Sequence, residues 1–109
     1  MDHYTLYSHI LRDVNFISLI FNQKKVSQDD LTSIKNRVNE LVDLSMSSSF
    51  KHIPHVGREL ASRCIDEMDR AWKEVETVAD YYEMQKNLTK MTQDFLADLT
   101  KNGPKTKAA

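Results

Sequence analysis

Cysteine, glycine and proline are all scarce in this chain, which has one, two and two of them in 109 residues. The one cysteine, Cys64, cannot form an internal disulfide, so the fold does not require an oxidising compartment. Glycine and proline make up about 7% and 5% of an average protein, and their scarcity here predicts few turns and long elements. A long apolar run is missing too, because the stretch 16–21 is far short of the ~20 residues that span a bilayer.

An excess of charge of either sign is also lacking. The formal net charge is −1, and 28% of the residues are charged. A strong electrostatic attraction of the whole protein to nucleic acid or anionic lipid is therefore not expected. The stretch 1–4 lacks the basic start and apolar core of a signal peptide, so we expect a cytoplasmic protein with no membrane partner.

The first half of the chain predicts an antiparallel helical hairpin. Apolar residues recur at steps of three and four along a first predicted helix, about 2–25: Tyr7, Ile10, Val14, Ile17 and Phe21. Ser27, followed by Asp29 and Asp30, is typical of a helix start, where serine caps backbone N–H groups and acids favour the dipole. It opens a second predicted helix, about 28–46, and the short connection between the two leaves room only for a tight turn.

The second half predicts one unusually long helix, about 54–102, after a linker rich in serine. The stretch 58–102 contains no glycine or proline and carries two apolar seams. The first seam repeats at steps of four and three: Ala61, Ile65, Met68, Trp72, Val75, Ala79 and Tyr82. The second seam begins on a rotated face: Tyr81, Met84, Leu88, Met91, Phe95 and Leu99. Gly103 and Pro104 end the helix, and 103–109 is predicted to be a disordered basic tail.

The length of this helix decides between two architectures. At 1.5 Å per residue, the 45 residues of 58–102 span roughly 67 Å, about twice what the hairpin covers. If the helix is continuous, the second seam has no cover in its own chain, which soluble monomers normally avoid. If it breaks at 87–89, where Asn87 and Thr89 are suitable caps, the last piece folds back as a fourth helix. We favour the continuous helix, because the residues around 87–89 are good helix formers.

These patterns together predict an all-α fold. An antiparallel helical hairpin packs on a long third helix, giving a three-helix bundle, or a four-helix bundle if that helix breaks. A chain of this length forms one core, so we expect a single domain over 1–102.

Unpaired acids lie near the point where the two seams meet. Glu76, Asp80 and Glu83 share one helical face, and none of them has a base four residues on. Such a face is either simply solvated or a docking stripe for a basic partner, with neighbouring tyrosines as aromatic anchors. The predicted partner-binding residues combine this stripe with the second seam: Glu76, Asp80, Tyr81, Glu83, Met84, Leu88, Met91, Phe95 and Leu99.

Charge is also distributed unevenly along the long helix. The stretch 66–83 has seven acids against two bases, whereas 84–109 has five bases against two acids. Two copies paired head to tail or antiparallel would bring these regions together, so a homodimer is one predicted assembly. The simpler interpretation of the basic end is a solubilising tail.

Catalytic, cofactor and metal sites are not predicted. His52, His55 and Cys64 match no closed zinc spacing, and no glutamate precedes a histidine by three residues as in di-metal bundles. Cys64 and Trp72 are instead expected in the core, where they act as a small and a large apolar group.

The predicted function is that of a non-enzymatic protein–protein interaction module, such as an adaptor, inhibitor, immunity-type or chaperone-type protein. It would dock a protein partner or a second copy through the C-terminal half of the long helix. The alternative is a small helical nucleic-acid-binding regulator with a helix-turn-helix in the second and third segments. The sequence contains no helix rich in arginine and lysine that would favour this alternative.

Overall fold

Four α-helices form a bundle in the computed structural model, which describes residues 2–103. Their bounds are His3–Ile20 for α1, Gln28–Ser45 for α2, His55–Lys73 for α3 and Val78–Asn102 for α4. A short 3-10 helix, Ser48–His52, connects α2 to α3. Strands are absent from residues 2–103, and the predicted all-α helical bundle is confirmed. The predicted tail, 103–109, lies outside the described residues except for Gly103.

Helix α1 ends at Ile20, about five residues before its predicted end. Residues 21–27 form the connection to α2 instead. Within it, the N–H of buried Val26 donates to the hydroxyl of Tyr82 in α4 at 3.0 Å. A helix running on to position 25 would carry Val26 away from this position. Helix α1 thus ends before position 25, and the hydrogen bond between Val26 and Tyr82 of α4 holds the connection in place.

Helix α2 begins where the serine and aspartates predict it. The Ser27 hydroxyl accepts from the Asp30 N–H at 3.1 Å, while the Asp30 carboxylate accepts from the Ser27 N–H at 2.9 Å. This reciprocal pair is a capping box, which satisfies two N–H groups at the helix start. The helix ends at Ser45, within one residue of the prediction, and packs against α1 as the predicted hairpin.

The predicted long helix is wrong, because the chain turns at Glu74–Thr77 and forms two helices, α3 and α4. A second capping box starts α4: the Thr77 hydroxyl accepts from the Asp80 N–H at 3.1 Å, and the Asp80 carboxylate accepts from the Thr77 N–H at 3.0 Å. Val75 is buried and fixes the middle of the turn in the core. The alternative break at 87–89 is wrong as well, because those residues lie within α4.

The four helices follow one another around the bundle with alternating direction. Each helix packs against its two neighbours in this ring, and α4 closes it by packing against α1. At one end, the Tyr7 hydroxyl of α1 donates to the Leu99 carbonyl of α4 at 2.8 Å. At the other end, the rings of Phe21 and Tyr81 lie 6.1 Å apart. The start of α1 therefore meets the end of α4, and the two helices are antiparallel.

The dimensions show the consequence of the turn at Glu74–Thr77. The longest extent of the molecule is 45 Å, with 23 and 19 Å across. A continuous helix over 58–102 alone would measure roughly 67 Å. Folding back gives the second seam the cover that a straight helix would have lacked.

Candidate functional site

The second seam, predicted to face a partner, lies inside the bundle. Its four most buried residues are at most 8% exposed: Tyr81, Leu88, Phe95 and Leu99. Met84 and Met91 are partly buried and pack against the same core. Since α1 and α3 cover this face of α4, the prediction that it lacks cover in its own chain is wrong.

The residues of the first seam are buried only as far as Val75. Its members up to that residue are buried, but Ala79 is exposed and Tyr82 is 45% exposed. The reason is the turn at Glu74–Thr77, which interrupts the helical phase that the seam had followed. Tyr82 therefore lies at the surface of α4 rather than in the core.

The predicted acidic stripe is also divided by this turn. Glu76 belongs to the turn, whereas Asp80 and Glu83 belong to α4, so the three do not share one helical face. The carboxylate of Asp80 accepts from the N–H groups of Thr77 and Glu76, and these bonds lower its pKa below the usual 3.8. Asp80 is thus a capping residue, which leaves Glu76 and Glu83 as the exposed acids of the predicted stripe.

Three aromatic rings support the end of the bundle next to the turn. Phe21, Trp72 and Tyr81 form a triangle with centroids 6.1–6.3 Å apart, and burial raises the pKa of the Tyr81 hydroxyl. The Tyr82 ring meets the Tyr81 ring edge-on, at 5.3 Å between centroids and 66° between planes. With its hydroxyl accepting from the Val26 N–H, Tyr82 is held at both ends while remaining half-exposed.

We call this surface the acidic pole and define it by Glu74, Glu76, Tyr82 and Glu83. The three glutamates are exposed, and within residues 2–103 none of them forms an ion pair. The connection 21–27, whose Val26 contacts Tyr82, also carries two lysines, so the acidic pole has a basic edge. An exposed aromatic side chain at the same end of the bundle as unpaired carboxylates is chemically suited to a basic protein surface.

A carboxylate, Asp13, is buried in the bundle, and the sequence-based predictions do not include it. It is fully buried in α1, where its Oδ1 pairs with Arg37 of α2 at 3.0 Å and with Arg12 at 3.3 Å. Glu40 links the two arginines, at 3.0 and 3.7 Å. The sequence does contain a signal, because Asp13 lies three residues after Ile10 on the apolar stripe of α1. A buried charge needs such compensation, so this network joins α1 to α2.

The histidines and the cysteine form no metal centre. Among residues 2–103, no three His, Cys, Asp or Glu side chains are grouped so that they could hold an ion. His55 lies 3.3 Å from Glu59 on the surface of α3. Cys64 is buried, as predicted, and burial raises the pKa of its thiol to about 12. Trp72 is also in the core, as predicted.

Comparisons with protein-family models, with curated proteins and with solved structures find no match to this chain. None of the helices within residues 2–103 combines the length and the hydropathy needed to cross a bilayer.

Proposed function

We propose that this protein is a non-enzymatic interaction module that docks a basic partner protein at its acidic pole. The observation that carries the proposal is Tyr82, an exposed aromatic residue whose ring and hydroxyl are both held in place. It belongs to α4 close to the turn that carries Glu74 and Glu76, and Glu83 follows it in sequence. The proposed class is that of an adaptor, inhibitor, immunity-type or chaperone-type protein. Its proposed location is the cytoplasm, which a chain with one buried, unpaired cysteine is compatible with.

The fixed position of Tyr82 supports a role as the anchor of the interface. Tyrosine is enriched among the residues that contribute most to binding energy, because it has a large apolar ring and a polar end. The contacts with Tyr81 and with the Val26 N–H already restrain this side chain in the free protein. Binding would therefore cost little side-chain entropy, which favours affinity.

The three glutamates supply the proposed specificity. Glu74, Glu76 and Glu83 have no arginine or lysine within ion-pair distance among residues 2–103, so a partner's basic side chains would meet carboxylates that are still available. Charge complementarity of this kind mainly raises the association rate and rejects partners with acidic surfaces. The proposed binding is accordingly sensitive to salt.

This proposal differs from the sequence-based hypothesis in the surface that it uses. Docking through the second seam would require α4 to separate from α1 and α3, which exposes Leu88 and Leu99. The acidic pole needs no such opening, because Tyr82 and Glu83 are already accessible. A second copy of this chain could therefore compete with a partner protein for the acidic pole. The predicted homodimer would not form through the second seam, because that seam is covered.

The test compares partner capture by the wild type with capture by Tyr82→Ala and by Glu76→Lys/Glu83→Lys. A captured partner should bind wild type and lose about 30-fold in affinity with Tyr82→Ala, which corresponds to a hot spot of about 2 kcal/mol. The charge-reversed variant should lower the association rate and the salt dependence. Tyr4→Ala, at the opposite end of the bundle, is the matched control and should bind as the wild type does.

Two results would overturn the proposal. One is capture of the same partners, with equal affinity, by wild type and by both acidic-pole variants. The other is a dimer in light scattering that Tyr82→Ala splits into monomers, because the occupant would then be a second copy. Circular dichroism spectra that coincide for all variants confirm that the comparison is made between folded proteins.

A further inference from the structure

Side chains that are polar but uncharged lie along one long side of the bundle, where α1 and α4 pack against each other. On α1 they follow one another at steps of seven and three, and on α4 at steps of four, so each set lies along one side of its helix. We call these residues the neutral face: Ser8, Asn15, Ser18, Gln85, Thr89 and Gln93. All six are exposed or half-buried.

Two observations place both sets on the same side of the molecule. The three residues of α4 line a shallow groove together with Phe21, which directly follows α1. On α1, Arg12 pairs with Glu40 of α2 at 3.0 Å, so α2 lies on one flank of this helix. Ser18 lies on the other flank, towards α4. The neutral face is therefore one surface built from two helices.

This surface contrasts with the outer side of α3, where most exposed residues are charged: Glu59, Arg63, Asp66, Arg70 and Lys73. At the surface of α1, Arg12 is the one arginine, lysine or acid, and it is already paired with Glu40. In a chain with 28% charged residues, such a depletion is pronounced. Loss of lysine, glutamate and aspartate is the composition that distinguishes the core of a protein interface from the remaining surface.

The chemistry of the neutral face favours a second copy of this chain as its occupant. A two-fold dimer pairs one surface with itself, and a charged surface would then bring like charges together. Hydroxyl and amide side chains both donate and accept hydrogen bonds, so two identical neutral faces can bond to each other. Leu19, which follows Ser18 and is 57% exposed, adds apolar area beside these polar groups.

The size of this side of the bundle also suits a dimer. Helix α1 has 18 residues and is therefore roughly 27 Å long. Two packed helices side by side are roughly 20 Å wide. A pair of such surfaces buries roughly 1,000 Å², which is the lower limit for a specific interface. The expected dimer is accordingly weak and depends on protein concentration.

We propose that two copies of this protein pair through their neutral faces about a two-fold axis. This pairing does not rest on the proposed docking of a basic partner, because the neutral face runs along the side of the bundle and the acidic pole lies at one end. Both acidic poles stay accessible in the dimer. One dimer would therefore present two docking sites, which raises the avidity for a partner with repeated basic segments.

Sedimentation equilibrium of the full chain at up to about 1 mM tests the proposal. The mass of the wild type should rise with concentration towards that of two chains. Asn15→Glu/Gln93→Glu and Asn15→Lys/Gln93→Lys should each raise the dissociation constant at least about tenfold, because like charges then meet in the interface. An equimolar mixture of the two variants should form a dimer again. Both positions carry the same charge within each variant, so opposite charges meet in the mixture whichever way the helices run.

Asn36→Glu/Asn39→Glu is the matched control, because it adds the same charge to exposed positions of α2. This variant and Tyr82→Ala should associate as the wild type does. The proposal is overturned by a wild type that is monomeric at about 1 mM, by dimers of both charged variants as stable as the wild type, or by a mixture that stays monomeric. A mass that rises beyond two chains would overturn the two-fold pairing. Dissociation by Tyr82→Ala would place the contact at the acidic pole instead.

Discussion

Two short segments of the second half, Glu74–Thr77 and 87–89, both resemble places where a helix could stop, yet the chain turns only at the first. At Glu74–Thr77 the backbone N–H groups of Glu76 and Thr77 donate to the Asp80 carboxylate. At 87–89 the backbone continues as an α-helix, with Leu88 buried and Asn87 exposed. The difference teaches that a polar residue alone does not end a helix; the turn also needs a reciprocal cap and an apolar anchor.

The anchor at the first segment is Val75, which is buried in the middle of the turn. Val75 belongs to the same buried core as Phe21, Trp72 and Tyr81. At the second segment the buried residue is Leu88, and it is buried only because the helix passes through unbroken. A buried aliphatic residue therefore stabilises a turn at Val75 and a continuous helix at Leu88.

The largest expected difference in unfolding free energy is between alanine substitutions at Leu88 and at its neighbour Asn87. Leu88 is 2% exposed, so Leu88→Ala should lower the free energy of unfolding by about 2–5 kcal/mol through lost burial and a cavity. Asn87→Ala, on the exposed side, should change it by less than about 0.5 kcal/mol. Denaturant unfolding of the two variants measures both values. An equally small loss for Leu88→Ala would mean that α1 and α3 do not cover this residue.

A smaller difference in unfolding free energy is expected between alanine substitutions at Thr77 and at Thr89. Thr77→Ala removes the cap of α4 and should cost about 0.5–2 kcal/mol of unfolding free energy. Thr89→Ala lies inside α4, where alanine has the better helix propensity, so it should be neutral or slightly stabilising. Thermal unfolding monitored by circular dichroism ranks the two variants. A greater loss for Thr89→Ala than for Thr77→Ala would reverse the comparison.

The smallest effect is a change in acid stability at the turn. The pKa of Asp80 is lower in the folded protein than its usual 3.8, chiefly because the Thr77 N–H donates to its carboxylate. As the pH falls, the Asp80 carboxylate is therefore protonated in the unfolded chain before it is protonated in the folded one. The stability that this carboxylate contributes is complete above pH 3.8 and is lost as the pH falls through the folded pKa. Asp80→Asn should be less stable than wild type at pH 7, and the gap should narrow towards pH 3.

Glu83→Gln is the control for that measurement, because Glu83 is exposed and makes no turn hydrogen bond. Its midpoint of thermal unfolding should follow that of the wild type between pH 7 and pH 3. A gap between wild type and Asp80→Asn that stays constant over this range would show that the carboxylate acts without its charge.

Much of the fold was predictable because its signals are local. The start of α2 follows from Ser27 and Asp30, and the burial of Trp72 follows from the spacing of the first seam. Thr77 and Asp80 repeat the spacing of Ser27 and Asp30, so the same rule would have found the second turn. The spacing of the first seam, which continues through Ala79 to Tyr82, masks this signal because it predicts an unbroken helix.

The candidate site was much less predictable. Nothing local distinguishes Tyr82, which is exposed, from Tyr81, which is buried, because their difference arises from the faces that α4 turns towards its neighbours. A cleft lined by Trp72 joins residues of α2 and α3 that are at least thirty positions apart in sequence. The ion-pair network of Asp13 likewise needs Arg37 from the next helix.

Periodicity and capping residues suffice for the helices and for most of the core, since both act within a few residues along the chain. The tertiary structure alone shows that the second seam is covered from within, because α1 and α3 provide the apolar surface that Leu88, Phe95 and Leu99 need. Sequence periodicity shows that a face must be buried, but not which surface buries it. The turn at Glu74–Thr77 settles that question by bringing α4 back beside α1.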